Sequence, residues 1–372
     1  MPDALVQQRN ILYKISMNLN FFQRYTSNRS YIPELDGLRF IAILSVLIYH
    51  TNNRLEVLLP NYHNFLTKLF KTGYLGVEIF FGISGYILSV QVLNLMAKDK
   101  FTYKDYFKRR LRRIEPPFLI STLAIFSLWF FFGSTPKQEL VNSLFSVITY
   151  TSNFFNKNLI NVVTWSLEIE IQFYLLLPLF LILYINKPKL FYLTLVFMVF
   201  MGLFAFNYNW IPFKLLPAYS QYFLIGVIVA VLSVKQKILN TYFVGANFLI
   251  VFTIFYLGLN FNLISQFLIL ILILILFNNV LILKKGIGFL KYNLVAIIGG
   301  MCYTIYLWHY PVMTLFFRSV FSHIEKLNLG DAALYWICLL GLTSFQILLS
   351  FFLFILFEKP FMKPFNKKIQ SK

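Results

Sequence analysis

Residues 261–283 read "FNLISQFLILILILILFNNVLIL" and decide the class of fold. A bilayer core takes roughly 20 consecutive apolar residues in one helix, and this stretch has that length without a charged side chain. The composition of the whole chain agrees, since 59% of its 372 residues are hydrophobic and only 13% are charged. Soluble domains are less apolar and carry more charge than this. We therefore predict an all-α, polytopic helical membrane protein.

Similar apolar stretches elsewhere in the chain predict about ten transmembrane helices in all. Their approximate bounds are 36–58, 74–95, 114–133, 164–185, 190–206, 215–233, 242–259, 262–283, 292–317 and 333–357. An even number of spans places both termini on one side of the membrane. We divide the chain into an N-terminal segment 1–30, a single membrane domain 31–361 and a basic tail 362–372. A further segment, 138–155, is predicted to form a short helix outside the membrane.

The distribution of basic residues indicates which side the termini occupy. Most of the 33 Lys and Arg residues lie in the N-terminal segment, in the loops on the same side of the membrane, and in the tail. Because Lys and Arg accumulate in cytoplasmic loops, we predict cytoplasmic termini and a location in the inner (cytoplasmic) membrane. Membrane topology also accounts for the net charge of +19, so no nucleic-acid partner is predicted.

The first predicted span, "LDGLRFIAILSVLIYH" at 35–50, carries ionisable residues within an apolar helix. Arg39 and His50 are eleven residues apart, about three helical turns, so their side chains point the same way about 16 Å apart. Such residues inside a membrane are costly and usually face a polar cavity or a partner. Asp36 is a candidate partner for Arg39. A neutral His50 could act as a general base; an interface histidine is the alternative.

Three other predicted spans contribute candidates for a polar cavity. Glu168 and Glu170 are two residues apart on a helix and point about 200° from each other, so one cavity does not easily take both. Ser84 lies mid-span between glycines, where small residues usually permit close helix packing. His309 lies in the later half of the ninth span. The alternatives are an interhelical hydrogen bond for Glu170 and an interface position for His309. For Ser84 packing is the preferred interpretation, and admission of an acyl chain is the alternative.

A series of motifs runs through the chain in a fixed order. They are "YIPELDGLRFIAILSVLIYH" at 31–50, "GVEIFFGISGYIL" at 76–88, "FKRRLRRIEPPF" at 107–118, "TWSLEIEIQFYLLLPL" at 164–179, "GGMCYTIYLWHYPV" at 299–312 and "FEKPF" at 357–361. This series resembles the acyltransferase 3 family of integral membrane O-acyltransferases. The family's basic residue, ten intervening positions and histidine are matched by Arg39 and His50. Cys302 stands where the family often has serine, and Glu78 where aspartate is common.

The resemblance implies transfer of an acyl group from a donor substrate, acetyl-CoA or another acyl-CoA, with no permanently bound cofactor. It implies a hydroxyl acceptor on a carbohydrate or glycolipid of the cell envelope, such as O-antigen, capsule or exopolysaccharide. His50 would be the base or a transient acyl acceptor, and Arg39 would orient the donor. Glu170, the motif-matched glutamate, would orient or charge-balance His50. Asp36, Ser84, Tyr174 and His309 would belong to the substrate cavity.

Four arginines precede the third predicted span: Arg109, Arg110, Arg112 and Arg113. Coenzyme A is polyanionic, and guanidinium groups suit its phosphates in both charge and geometry. Arg113 matches the family motif and is the first candidate among them. Anchoring by cytoplasmic positive charge would produce a similar run and is the alternative.

Two other classes of function compete with an enzyme. Intramembrane Arg, His and Glu also mark solute pathways, so a transporter or flippase of a lipid-linked or small solute is the main alternative. Paired Gly- or Pro-broken spans in the two halves, which would favour a transporter, are not evident. A structural or assembly role is disfavoured by the clustering of polar motifs. The spacing of the histidines and of Cys302 and Cys338 predicts neither a metal site nor a disulfide framework.

Overall fold

The computed structural model describes residues 22–23, 32–155, 160–208, 214–235, 247–284 and 288–362. Most residues in these ranges are helical and none is assigned to a β-strand, which confirms the all-α prediction. The predicted N-terminal segment 1–30, except residues 22 and 23, lies outside the described residues. So do the predicted tail beyond residue 362 and residues 242–246 of the seventh predicted span.

The α-helices follow one another with short connections. Their bounds are α1 Pro33–Leu58, α2 Phe65–Phe70, α3 Leu75–Met96, α4 Tyr103–Phe132, α5 Lys137–Ile148, α6 Ser152–Phe155, α7 Trp165–Asn186, α8 Pro188–Asn207, α9 Leu216–Val234, α10 Asn247–Leu257, α11 Leu263–Phe277, α12 Asn293–Gly300, α13 Cys302–Ser319, α14 Phe321–Glu325 and α15 Asp331–Phe357. One π-helical turn, Asn278–Ile282, continues α11. The described part of each of the ten predicted spans therefore contains helical structure.

Seven helical segments of the described chain are long and apolar enough to cross a membrane. They are Phe65–Met96, Tyr103–Phe132, Val162–Asn186, Pro188–Asn207, Leu216–Val234, Leu263–Ile282 and Asp331–Phe357. The protein is thus a multi-pass membrane protein. Of the other predicted spans, α1 begins with acidic residues, α10 begins only at Asn247, and the ninth is divided at Met301. The total of ten spans and the cytoplasmic side of the termini stay predictions.

The centre of the bundle is the contact between α3 and α9, the most extensive helix pair of the structure. Gly85 of α3 and Gly226 of α9 lie where the two backbones touch. A Cβ atom on Gly226 would come within 2.0 Å of the carbonyl oxygen of Gly82, and one on Gly85 within 2.1 Å of that of Phe223. Close approach of this kind maximises packing between helices in a bilayer.

Replacing Gly226 by alanine is expected to lower the thermal stability of the purified protein. The added methyl group meets main-chain atoms, which cannot rotate away, so the helices must separate at a cost of about 1–3 kcal/mol. Gly341→Ala is the matched control, because a Cβ atom there has no atom within 4 Å. Thermal melting in detergent should show a loss for Gly226→Ala and none for Gly341→Ala. Equal melting temperatures for the two variants would contradict this packing.

The ninth predicted span is divided into two helices. α12 ends at Gly300, α13 begins at Cys302, and the amide of Met301 bonds back to the carbonyls of Ile297 and Ile298 at 3.1 Å. Apolar periodicity continues through this point, which is why the sequence predicted one span. The break leaves the first amides of α13 without partners inside the helix, as at any helix start. It also places the start of α13 beside the polar cavity described next.

Candidate active site

A polar cavity lies between α1, α3, α4, α7 and α13, with an empty volume of about 1030 Å³ including its opening. Its lining residues are Arg39, Val77, Phe80, Phe81, Ile83, Ser84, Ile87, Leu88, Arg110, Arg113, Ile114, Ser166, Leu167, Glu170, Tyr174, Gly300, Cys302, Tyr303, Tyr306 and Glu358. The structure therefore brings six of the predicted site residues into one space: Arg39, Ser84, Arg110, Arg113, Glu170 and Tyr174. Asp36, His50, Arg109, Arg112 and His309 are not part of this lining.

The side chain of Arg39 extends from α1 into the cavity and bonds to a carboxylate of the same helix. Asp36 is fully buried, and its Oδ1 accepts a hydrogen bond from Nη1 of Arg39 at 2.6 Å. The pair is the one that the three-residue spacing predicts on a helix. Asp36 thus contributes by fixing the guanidinium of Arg39.

The periodicity of α4 places the four arginines on two different faces of that helix. The sequence placed them in a loop, but the helix already begins at Tyr103, because the hydroxyl of Thr102 accepts the amide of Asp105 and caps it. On a helix, residues three apart share a face, whereas their neighbours point elsewhere. Accordingly, Arg110 and Arg113 line the cavity, while the side chains of Arg109 and Arg112 are exposed.

Ser84 and Glu170 meet inside the cavity. The hydroxyl of Ser84 donates to Oε1 of Glu170, and Tyr174 lies one helical turn from Glu170 with its hydroxyl directed to the same carboxylate. The neighbouring glycines of α3, by contrast, face other helices: Gly85 meets the main chain of α9, and Gly82 meets Phe277 of α11. The packing interpretation of this segment therefore holds for the glycines, while Ser84 points the opposite way into the cavity. No hydrogen bond joins Glu170 to His50 among the described residues.

Glu168 has a separate, structural position, as its angle to Glu170 predicted. It is buried and accepts the backbone amides of Ser152 and Asn153 at 3.2 and 2.9 Å, together with the hydroxyl of Ser152. A carboxylate at the start of a helix satisfies amides that have no partner within the helix. Glu168 therefore anchors the short helix α6 and leaves Glu170 as the carboxylate of α7 in the cavity.

Glu358 plays the same part for α13. It is buried, and its Oε2 accepts the amide and the hydroxyl of Thr304 at 3.0 and 2.5 Å. Thr304 lies in the first turn of α13, directly after the break at Met301. The sequence interpretation quoted the "FEKPF" motif without assigning Glu358 a role. This role depends on the break at Met301, which gives α13 a free helix start to be capped. The sequence did not predict that break, so it did not suggest the role of Glu358.

Two tyrosines of α13 tie this helix to the opposite wall. Tyr303 donates to the carbonyl oxygen of Ile114 at 2.9 Å. Tyr306 donates to the carbonyl oxygen of Val163, and its oxygen lies 2.8 Å from the hydroxyl of Ser166. Both tyrosines line the cavity and neither was a candidate from the sequence. Tyrosine is common in membrane helices, so residue type alone did not distinguish them.

His50 lies further along α1, against a second histidine. The ring centroids of His50 and His309 are 5.2 Å apart, and those of His309 and Tyr306 are 5.7 Å apart. Tyr310 packs edge-on against His50 with a centroid distance of 5.4 Å. The two histidines thus form a pair outside the cavity lining, and Tyr306, which lines the cavity, lies next to His309. The site has two parts, an arginine-lined cavity and a histidine pair, connected through α13.

The described residues contain no group of three or more His, Cys, Asp or Glu side chains that could hold a metal ion. The two parts of the site present arginine, carboxylate, hydroxyl and imidazole groups.

The sequence of the chain matches a known protein family. The model of a family described as an acyltransferase domain matches residues 32–357, which contain both the cavity and the histidine pair. The chain belongs to the acyltransferase 3 family. This family membership agrees with the resemblance seen in the motifs. No solved structure matches the chain significantly.

Several curated relatives in this acyltransferase family are similar to the chain. O-acetyltransferase OatA of Staphylococcus aureus is 30% identical over 329 residues, which cover 76% of this chain and 51% of OatA. Peptidoglycan O-acetyltransferase OatA of Listeria monocytogenes is 30% identical over 184 residues, covering 44% of the chain and 26% of that protein. YrhL of Bacillus subtilis is 34% identical over 187 residues, covering 44% and 26%. The chain thus spans about half the length of the first of these relatives.

Proposed function

We propose that the protein is a membrane O-acetyltransferase that moves an acetyl group from acetyl-CoA to a hydroxyl of a cell-envelope sugar. The observation that carries this proposal is the arrangement on α1, where one helix holds Arg39 in an arginine-lined cavity and His50 in a histidine pair. Membership of the acyltransferase family supports the reaction class. The relatives named as O-acetyltransferases support acetyl as the group transferred.

The cavity is the donor part of the proposed site. Arg110 and Arg113 lie on one face of α4 at its lining, where their guanidinium groups can bind the phosphates of acetyl-CoA. The positive-inside distribution of Lys and Arg supports a cytoplasmic opening, the side on which acetyl-CoA is made available. Apolar side chains of α3, among them Ile83, Ile87 and Leu88, line the same space and suit the pantetheine arm. The protein itself would keep no bound cofactor.

The histidine pair is the acceptor part. His50 would take the proton of the acceptor hydroxyl as its oxygen attacks the thioester carbonyl. The carbon–sulfur bond then breaks, the thiolate of coenzyme A leaves, and the proton passes from His50 to that thiolate. Arg39, about 16 Å from His50 along the helix axis, would act on the donor. Acceptors of the relatives support a glycan as the acceptor here, since one is named a peptidoglycan O-acetyltransferase.

Replacing Arg110 or Arg113 by alanine is expected to raise the KM for acetyl-CoA by roughly 10-fold or more, because each removes charge-assisted hydrogen bonds to a phosphate. Arg109→Ala serves as the comparison, since Arg109 has the same charge and helix but an exposed side chain. Steady-state kinetics with acetyl-CoA would measure the effect. A similar rise for all three variants would favour a diffuse basic surface over the cavity as the donor site.

The overall proposal is tested by mass spectrometry of cell-envelope glycans from cells with and without the gene. We expect sugar residues heavier by the mass of one acetyl group only where the gene is present, and loss of that mass after mild alkali, which cleaves esters. Unchanged envelope glycans, with the protein present in the membrane, would contradict the proposal. The same cells fractionated into inner and outer membranes would test the proposed inner-membrane location.

A further inference from the structure

The orientation of His309 is fixed by main-chain atoms of its own helix. The Nδ1 atom of His309 lies 2.8 Å from the carbonyl oxygen of Tyr306 and 3.2 Å from that of Ile305. Carbonyl oxygens only accept hydrogen bonds, so Nδ1 must carry the proton. In a neutral imidazole the other nitrogen then has a free lone pair. The structure thereby assigns the tautomer of His309, with Nε2 as a hydrogen-bond acceptor.

This acceptor has no partner among the described residues. His309 is 2% exposed, and its Nε2 atom is buried without a hydrogen bond to any residue that the structure describes. A buried polar atom that stays unpaired usually costs about 1–3 kcal/mol, so its persistence calls for an explanation. The contacts of this ring with the main chain of α13 are made by Nδ1, so Nε2 has no part in holding the helix. The backbone of His309 is held separately by Gln346, which donates to its carbonyl oxygen at 2.9 Å.

The ring beside His309 is that of His50. The two ring planes are inclined by 44° with centroids 5.2 Å apart, a separation at which a nitrogen of one imidazole can reach a nitrogen of the other. His50 itself has no hydrogen bond within the described residues. Catalytic hydrogen bonds are often long in the absence of substrate and shorten when it binds. An oriented acceptor thus lies next to a histidine whose ring nitrogens have no hydrogen bond among the described residues.

We propose that His309 is the positioning residue for His50, and that its Nε2 accepts the N–H of His50 while the acceptor hydroxyl is bound. This inference rests on the proposed function of His50 as the base. A bond to His309 fixes the proton on one nitrogen of His50 and leaves the lone pair of the other to face the hydroxyl. When His50 takes the hydroxyl proton and becomes cationic, the same bond to neutral His309 stabilises the charge. No carboxylate is needed beside His50 in this arrangement.

Two substitutions separate this role from a structural one. The side chain of asparagine places its amide nitrogen where Nδ1 of His309 lies, so His309→Asn keeps the contacts with the carbonyls and loses the acceptor. Glutamine places its amide oxygen where Nε2 lies, so His309→Gln keeps the acceptor and loses those contacts. We expect His309→Asn to lower kcat by roughly 100-fold with little change in the KM for acetyl-CoA. His309→Gln should retain much more of the wild-type kcat.

The measurement uses the full chain purified into lipid nanodiscs, with radiolabelled acetyl-CoA and glycan strands released from peptidoglycan as the acceptor probe. Thermal melting of each variant shows that it is folded, and His63→Gln, at an exposed histidine, is the control. A kcat that is higher for His309→Asn than for His309→Gln would overturn the positioning role in favour of a structural one. Full activity of both variants would also overturn it and would leave the proposed function intact. A wild-type protein that transfers no acetyl group would overturn the proposed function, and this inference with it.

Discussion

The His50→Ala variant is expected to lose acetyl transfer by roughly 10²–10⁴-fold, the range that general acid–base groups contribute to catalysis. The imidazole is the only basic nitrogen that α1 presents at the histidine pair, and its ring contacts Tyr49, His309 and Tyr310 without bonding to any of them. Removing it therefore breaks no hydrogen bond among the residues that the structure describes. The loss should appear in kcat, measured with acetyl-CoA and a glycan acceptor.

The folded state of His50→Ala has to be shown beside the loss of activity. The variant should reach the membrane in normal amount and melt within a few degrees of the wild type, because it loses packing around a half-buried ring and no polar contact. His63→Ala, which changes an exposed histidine near the same end of α1, provides the matched control. Acetylation that persists in His50→Ala would exclude His50 as the base and direct attention to the hydroxyl and carboxylate of Ser84 and Glu170.

Removal of Arg39 alone should be among the most destabilising single changes in the cavity. Its partner Asp36 is fully buried and bonded to it at 2.6 Å, so Arg39→Gln removes a directly bonded positive charge from a buried carboxylate. Breaking a buried ion pair from one side typically costs about 3–5 kcal/mol. The double change Asp36→Asn with Arg39→Gln replaces the pair by two neutral amides and should recover much of that loss. Thermal or denaturant unfolding in detergent would measure both.

A second ion pair provides the comparison for this prediction. Lys71 and Glu56 are 2.8 Å apart, but the side chain of Lys71 is 52% exposed. Exposed pairs contribute about 0–1 kcal/mol, so Lys71→Gln should melt close to the wild type. Two results would contradict the prediction: Arg39→Gln melting as close to the wild type as Lys71→Gln, or the double change melting no higher than Arg39→Gln alone. Either would show that burial of Asp36 does not determine how much the pair stabilises the protein. Acetyl transfer should stay low in both Arg39 variants, since the cavity has lost its guanidinium in each.

Helix positions could be predicted from the sequence because apolar stretches of membrane length are long and have sharp ends. The limits of that reasoning are visible at two points. At α4 the apolar stretch starts near Ile114, whereas Thr102 and Asp105 cap the helix eleven residues earlier. At Met301 the apolar pattern runs on through a break. Hydropathy measures which residues tolerate lipid, and it does not record where main-chain hydrogen bonds begin or end.

The candidate site was predictable where helical phase alone decides neighbours. The pairing of Asp36 with Arg39 and the separation of Glu168 from Glu170 both follow from spacing along one helix. Contacts between helices were not accessible in this way. Nothing in the spacing of residues shows that Ser84 meets Glu170, that Glu358 caps the helix of Thr304, or that His50 faces His309. The sequence left two roles open for Glu170, orienting His50 or an interhelical hydrogen bond; in the structure its carboxylate bonds to Ser84, and His309 lies beside His50.

The position of Glu358 has a consequence for how the protein is made. Its carboxylate caps α13, the helix that carries His309, but it follows α15 in the chain. During synthesis α13 enters the membrane before α15 has been translated. The first amides of α13 therefore lack the carboxylate of Glu358 until that residue has been synthesised. The histidine pair can reach its final arrangement only after α15 has inserted and the chain has turned at Glu358. Nascent chains halted before that residue should consequently occupy the membrane as inactive insertion intermediates.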